Sequence, residues 1–138
     1  MPEESSGRTR ILVAEDSVTY RMVLKRILSK RYEVELAEDG MQAYNKFADF
    51  KPDLVITDLG MPNLDGIALI KMLKNVAPDV KILVLSGEGF TDRVKEAITA
   101  GALGFIVKSY DVDDVIAKVN NAVDKIERSQ ITDFVEEE

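Results

Sequence analysis

Five short apolar runs punctuate the chain: Ile11-Leu12-Val13-Ala14, Val34-Glu35-Leu36-Ala37, Leu54-Val55-Ile56-Thr57, Ile82-Leu83-Val84-Leu85 and Leu103-Gly104-Phe105-Ile106-Val107. Four are almost wholly apolar and rich in β-branched residues, as are strands covered on both faces of a parallel sheet. The second alternates apolar and polar positions, as an edge strand does. Between the runs the spacing becomes helical. Tyr20, Val23, Leu24, Ile27 and Leu28 form one stripe, with Ser17 as its N-cap. Ala43, Phe47 and Phe50 mark a second helix opened by Asp39-Gly40, and Leu69, Ile70 and Leu73 a third opened by Asp65. Val94, Ala97, Ile98 and Gly101 mark a fourth. Val112, Val115, Ile116, Val119, Val123 and Ile126 mark a longer fifth, with Asp111 as its cap.

Strict alternation of strand and helix, repeated five times, predicts a three-layer α/β domain with a parallel sheet. Right-handed crossovers then put helices on both faces. The domain is placed at residues 9–127. Residues 1–8 and 128–138, including the acidic end Val135-Glu136-Glu137-Glu138, lack an apolar pattern and are expected to be flexible termini.

Composition narrows the chemistry. The chain has 138 residues, 46% hydrophobic and 31% charged, which fits one globular domain. No run approaches the ~20 apolar residues of a membrane helix, and Met1–Arg8 lacks the apolar segment of a secretory signal. A cytoplasmic protein with no membrane insertion is expected. There is no Cys, which excludes disulfides and thiolate chemistry, and no His, which excludes Ser-His-Asp catalysis, imidazole metal ligands and a phosphohistidine on this chain. A net charge of −7 argues against direct nucleic-acid binding.

In open parallel sheets, ligands bind beyond the carboxyl ends of the strands. Glu15 and Asp16 follow the first run, Asp58 the third, Ser86 the fourth and Lys108 the fifth. If the first and third strands are neighbours, three carboxylates converge. Their mutual repulsion is removed by a hard divalent cation such as Mg²⁺, which takes carboxylate and carbonyl oxygens and phosphate groups. A Lys and a hydroxyl nearby suit phosphoryl oxygens. A carboxylate ionised at neutral pH is a competent nucleophile toward phosphorus without a general base.

The segment Asp58-Leu59-Gly60-Met61-Pro62-Asn63-Leu64-Asp65-Gly66 resembles the phosphoacceptor loop of response-regulator receiver domains, and Glu15-Asp16, Ser86, Phe105 and Lys108 fall in matching order. The resemblance implies a flavodoxin-like (βα)5 fold with strand order 2-1-3-4-5. It implies that Asp58 accepts a phosphoryl group from a kinase phosphohistidine. Asp16 resembles the direct metal ligand, Glu15 the acid acting through water, and the Gly60 carbonyl the backbone ligand. The implied ion is Mg²⁺, with Mn²⁺ as a substitute. Ser86 resembles the hydroxyl that turns toward the phosphoryl group, Lys108 its cationic partner, and Phe105 the aromatic that changes rotamer with Ser86. Val18 and Met22 lie opposite the core stripe of the first helix, near its N-terminus, where the resemblance implies docking of the histidine-bearing donor.

Three positions depart from the family pattern. Ser109 follows Lys108 where receivers usually carry Pro, and a non-proline cis bond there would cost ~3 kcal/mol. Gly60 offers no side chain beside the phosphoryl group. Phe105 cannot hydrogen-bond as Tyr would. The function implied is a phosphoacceptor regulator of a two-component or phosphorelay system, switching the face of the fourth helix, fifth strand and fifth helix. It is not expected to be a multiple-turnover enzyme. Its partners would be a sensor histidine kinase or histidine-phosphotransfer protein and a separate output protein, since only 12 residues follow Ile126. The alternatives are an interaction module working without phosphorylation and a receiver fragment of a longer regulator. An aspartyl-phosphate phosphatase of the haloacid-dehalogenase type would need a second Asp two residues after the nucleophile, where Gly60 and Val18 stand.

Overall fold

The computed structural model describes residues 7–108 and 111–136, with side chains as far as Arg128. Five strands alternate with five helices: β1 (Arg10–Ala14), α1 (Val18–Leu28), β2 (Glu33–Ala37), α2 (Gly40–Phe50), β3 (Leu54–Asp58), α3 (Gly66–Val76), β4 (Ile82–Ser86), α4 (Asp92–Ala100), β5 (Gly104–Val107) and α5 (Val112–Glu136). All pairings are parallel, in the order β2-β1-β3-β4-β5. This is the flavodoxin-like order that the resemblance implied.

Strand alternation divides the core into two layers. Leu12, Ala14, Val55, Ile82 and Val84 face α2, α3 and α4, where Leu69, Ile70, Leu73 and Val94 meet them. Ile11, Val13, Leu54, Ile56, Leu83 and Leu85 face α1 and α5, against Leu24, Leu28, Val115, Val119 and Val123. Each large aliphatic side chain removed from water contributes about 1.5–3 kcal/mol. The central strands β1, β3 and β4, buried on both sides, therefore form the rigid platform for what lies at their ends.

The expected caps are in place at three helices. Ser17 Oγ accepts the Tyr20 N–H at 3.3 Å, Asp39 Oδ1 the Gln42 N–H at 2.8 Å, and Asp65 Oδ1 the Ala68 N–H at 2.9 Å. Thr91 caps α4 by accepting the Val94 N–H at 3.1 Å. At α5 the Asp111 backbone carbonyl accepts the Asp114 N–H at 3.1 Å.

Three expectations are corrected. The fifth run is not covered on both faces. β5 is the second edge of the sheet, with Ile106 alone fully buried in it and Leu103 outside the strand and half exposed. An apolar run at an edge reads like a central one, because periodicity registers composition and not the number of neighbours. In the fourth helix, Ile98 is 38% exposed rather than part of the buried stripe, and Gly101, at φ 127°, ends the helix. At the C-terminal end the helix does not stop near 127 but continues to Glu136. Residues 128–136 contain neither Gly nor Pro, so nothing in the backbone chemistry terminates it. Of the expected N-terminal tail, Arg8 is described and donates from Nη1 to the Ser29 carbonyl at 2.8 Å. Residues 1–6, 137 and 138 lie outside the described residues, as does Ser109 and with it the geometry of the Lys108-Ser109 bond.

Gly40 shows how tightly the loops approach one another. A methyl group added there would overlap the backbone carbonyl of Leu64, which cannot swing aside as a side-chain end could. Gly40→Ala is therefore expected to lower stability by about 2 kcal/mol, the overlap outweighing the ~1 kcal/mol helix preference for Ala. Gly60→Ala, with nothing within 4 Å of the added carbon, is expected to stay within about 0.5 kcal/mol. Urea midpoints of the two variants check the contrast.

Candidate functional site

The four strand ends predicted to carry chemistry meet on one edge of the sheet. Glu15 continues the β1 ladder, its N–H donating to the Ala37 carbonyl at 3.1 Å, and its side chain is fully buried. Asp58 closes β3, with Leu85 of β4 as its register partner. Ser86 closes β4 and is buried. Lys108 follows β5 and is anchored by its N–H donating to the Ser86 carbonyl at 2.7 Å. Carboxylate oxygens of Glu15, Asp16 and Asp58 lie within 4.8 Å of one another.

Two unit charges at that separation repel by roughly 3.5 kcal/mol at an effective dielectric of 20. Lys108 opposes the repulsion. Its Nζ is 3.0 Å from Glu15 Oε1 and donates to Asp58 Oδ2 at 3.2 Å. Burial alone would lower the ammonium pKa, but contact with Glu15 and Asp58 outweighs that and holds it above its ordinary value. Burial pushes the Glu15 carboxyl up. The Ser17 N–H at 2.9 Å and Lys108 pull it back without cancelling the shift, and Asp58 adds to it. Glu15 Oε1 is the telling atom: buried, beside an ammonium, yet accepting no aligned hydrogen bond among the described residues.

Those donors suit a divalent cation. All are hard oxygens, one is a buried oxygen with spare acceptor capacity, and Asp16 is exposed at the mouth. Gly60 lines the same cavity of about 330 Å³ as Asp58 and Ser86.

Asp58 is held from behind. Its Oδ1 accepts the Leu59 N–H at 2.7 Å, and the Leu59 carbonyl accepts the Gly66 N–H at 2.8 Å. Gly66 sits so close that a Cβ there would overlap the Asp58 carbonyl. The Asp65-Gly66 pair thus opens α3 and packs its first turn onto the Asp58 backbone.

Ser86 Oγ is engaged by its own loop: it donates to the Glu88 carbonyl, and the Gly89 carbonyl lies 3.4 Å away. Phe105 is partly buried against the α3–α4 side of the core, its ring 5.8 Å from that of Phe90, which is 61% exposed. Val18 and Met22 are 63% and 53% exposed on α1.

Two residues that support the site escaped the sequence reading. Arg21 is buried on α1 and donates from Nη1 to the Glu15 carbonyl at 2.7 Å. A charged residue in an apolar stripe gap reads as surface, and its position six residues after Glu15 was the available clue. Tyr20 was assigned to the core, yet its ring lies 4.8 Å from Lys108 Nζ, a cation–π contact that steadies the ammonium.

Comparison with known proteins agrees with this geometry. Residues 11–120 match the response regulator receiver domain. The chemotaxis protein CheY of Bacillus subtilis is 40% identical over 116 residues, 83% of this chain and 97% of that protein. CheY of Thermotoga maritima is 41% identical over 113 residues, 80% of this chain and 94% of that protein. Among solved structures, a chain of the CheX-CheY-BeF3-Mg²⁺ complex from Borrelia burgdorferi superposes with a TM-score of 0.73 at 27% identity, covering 83% of this chain and 89% of that one.

Arg21→Met is expected to cost about 2 kcal/mol, because it strips a charged donor from a buried carbonyl. Because that carbonyl belongs to Glu15, the same substitution is expected to weaken Mn²⁺ binding. Denaturant midpoints and titration with the paramagnetic ion check both effects.

Proposed function

This chain belongs to the response regulator receiver family, and we propose that it is a phosphoacceptor of a two-component or phosphorelay system, charged at Asp58 by a kinase phosphohistidine. The observation that carries the reading is Asp58 itself: a carboxylate at a strand end, beside Glu15 and Asp16, with an ammonium 3.2 Å away. The alternatives of a module working without phosphorylation and of a haloacid-dehalogenase-type phosphatase make less use of this arrangement.

In the proposed reaction a carboxylate oxygen of Asp58 attacks phosphorus. The bond from phosphorus to the donor's imidazole nitrogen breaks, and its electron pair leaves with that nitrogen. Lys108 holds the Asp58 carboxylate in place and then neutralises an oxygen of the transferred group. Asp16, Asp58 and the Gly60 carbonyl would hold Mg²⁺ directly, and Glu15 through water. The ion, or Mn²⁺ in its place, supplies positive charge that offsets the carboxylates and the phosphoryl oxygens. The Borrelia relative's complex with BeF3 and Mg²⁺ supports that assignment by analogy.

Phosphorylation replaces the single charge of the Asp58 carboxylate with up to two on the phosphoryl group and brings three acceptor oxygens to this point. Ser86 can answer by releasing the Glu88 and Gly89 carbonyls and turning its hydroxyl inward. Gly89 adjoins Phe90, so that release loosens the Phe90–Phe105 contact and repacks the face of α4, β5 and α5 by van der Waals contacts alone. A separate output protein would read that face. The chain would transform its own Asp58 and turn over no external substrate repeatedly. No helix among the described residues is long and apolar enough to cross a membrane, and a cytoplasmic site of action accords with a kinase donor.

Intact-mass measurement after incubation with a small phosphodonor is expected to show one added phosphoryl group, dependent on Mg²⁺ and absent in Asp58→Ala. An unmodified wild-type chain would remove the reading. For the donor dock, Met22→Glu is expected to slow transfer from the cognate kinase about tenfold while small-donor labelling continues. Equal slowing of both would argue against docking at Val18 and Met22.

A further inference from the structure

The cavity beside Asp58 has a cation in its wall other than Lys108. Its lining includes Gly60, Ser86, Glu88, Thr91 and Arg93 together with Asp58. Lys108 reaches Asp58 from the Glu15 side, whereas Arg93 stands in the first turn of α4 at the cavity's rim. Nothing fills the space beside Gly60, where an added carbon would find no atom within 4 Å. The gap leaves Arg93 with open access to whatever occupies the cavity.

Arg93 is weakly tied down. Its Nη2 lies 3.5 Å from Asp65 Oδ2 and its Nη1 4.0 Å from Glu96 Oε1, both half-exposed pairs at the long limit of an ion pair. Such pairs contribute under about 1 kcal/mol. The other oxygen of Asp65 is engaged in capping α3. A guanidinium held this loosely is drawn toward a new anion at little cost.

We propose that Arg93 determines phosphodonor specificity, favouring small donors whose leaving group departs as an anion, the acyl phosphates. The inference rests on Asp58 being the phosphoacceptor. In-line displacement puts the leaving group on the side of phosphorus away from the attacking oxygen, which from Asp58 is toward the cavity and its rim. With acetyl phosphate, the Asp58 oxygen–phosphorus bond forms as the phosphorus–oxygen bond to acetate breaks. Acetate carries off the electron pair and a full negative charge, and Arg93 stabilises that charge as it develops. With phosphoramidate, the protonated nitrogen leaves as neutral ammonia, and Arg93 has no departing anion to stabilise.

The test compares wild type with Arg93→Gln and Arg93→Lys, using acetyl phosphate and phosphoramidate at saturating Mg²⁺ and reading rate constants by intact mass. The ratio of the acetyl phosphate rate to the phosphoramidate rate is expected to fall about fivefold or more in Arg93→Gln, and Arg93→Lys is expected to recover most of it. Equal slowing with both donors, or an unaltered ratio, would overturn the inference while leaving Asp58 as the acceptor. A wild-type chain labelled by neither donor would overturn the phosphoacceptor reading and this inference together.

Discussion

Burying a carboxylate next to two others is the constraint around which this molecule is arranged. Glu15 is fully enclosed, Asp58 is partly buried, and the strand order places them at adjacent strand ends. Burial raises the Glu15 carboxyl above its ordinary value, and Lys108 reduces that shift without cancelling it. Neighbouring strands lie about 4.8 Å apart, so a side chain from β5 must cross β4 to reach β3. Lys has the length for that crossing, with the Tyr20 ring alongside its ammonium. With three carboxylates against one ammonium the cluster stays net negative, so an added cation would relieve it.

The acids are costly only because they are rigid, and their rigidity comes from the layers beneath. Both faces of β1 and β3 are sealed by aliphatic side chains. Gly66 and Gly40 bring loop backbones into contact that a Cβ would forbid, and Arg21 fixes the carbonyl of Glu15 from inside α1. The other edge of the site is built differently. Ser86 is tied to its own loop by hydrogen bonds to carbonyls, and Phe90 and Phe105 meet at a partly exposed edge strand. The Asp58 side is held by close backbone packing, and the Ser86 side by the hydrogen bonds of one hydroxyl.

Much of this was legible in the chain. Five short apolar runs and five helical stripes determined the element order, and the residues after four of the runs determined what chemistry the sheet edge offers, because parallel strands all deliver their carboxyl ends to one side. The Ser17, Asp39 and Asp65 caps were readable for the same local reason: a cap bonds within three residues of itself. Asp58 to Gly66 carried enough spacing to indicate the family. The strand order came with that resemblance, since periodicity does not say which strands lie side by side.

What the chain could not disclose is whatever depends on partners distant in sequence. That Arg21 is buried, that Lys108 pairs with Glu15 as well as Asp58, and that Arg93 faces the same cavity as Ser86 follow from packing between elements. Hydrophobic pattern and capping are local properties, encoded within a few residues of where they act. Burial, ion pairing and pKa arise between groups far apart along the backbone, and the tertiary fold alone sets those separations.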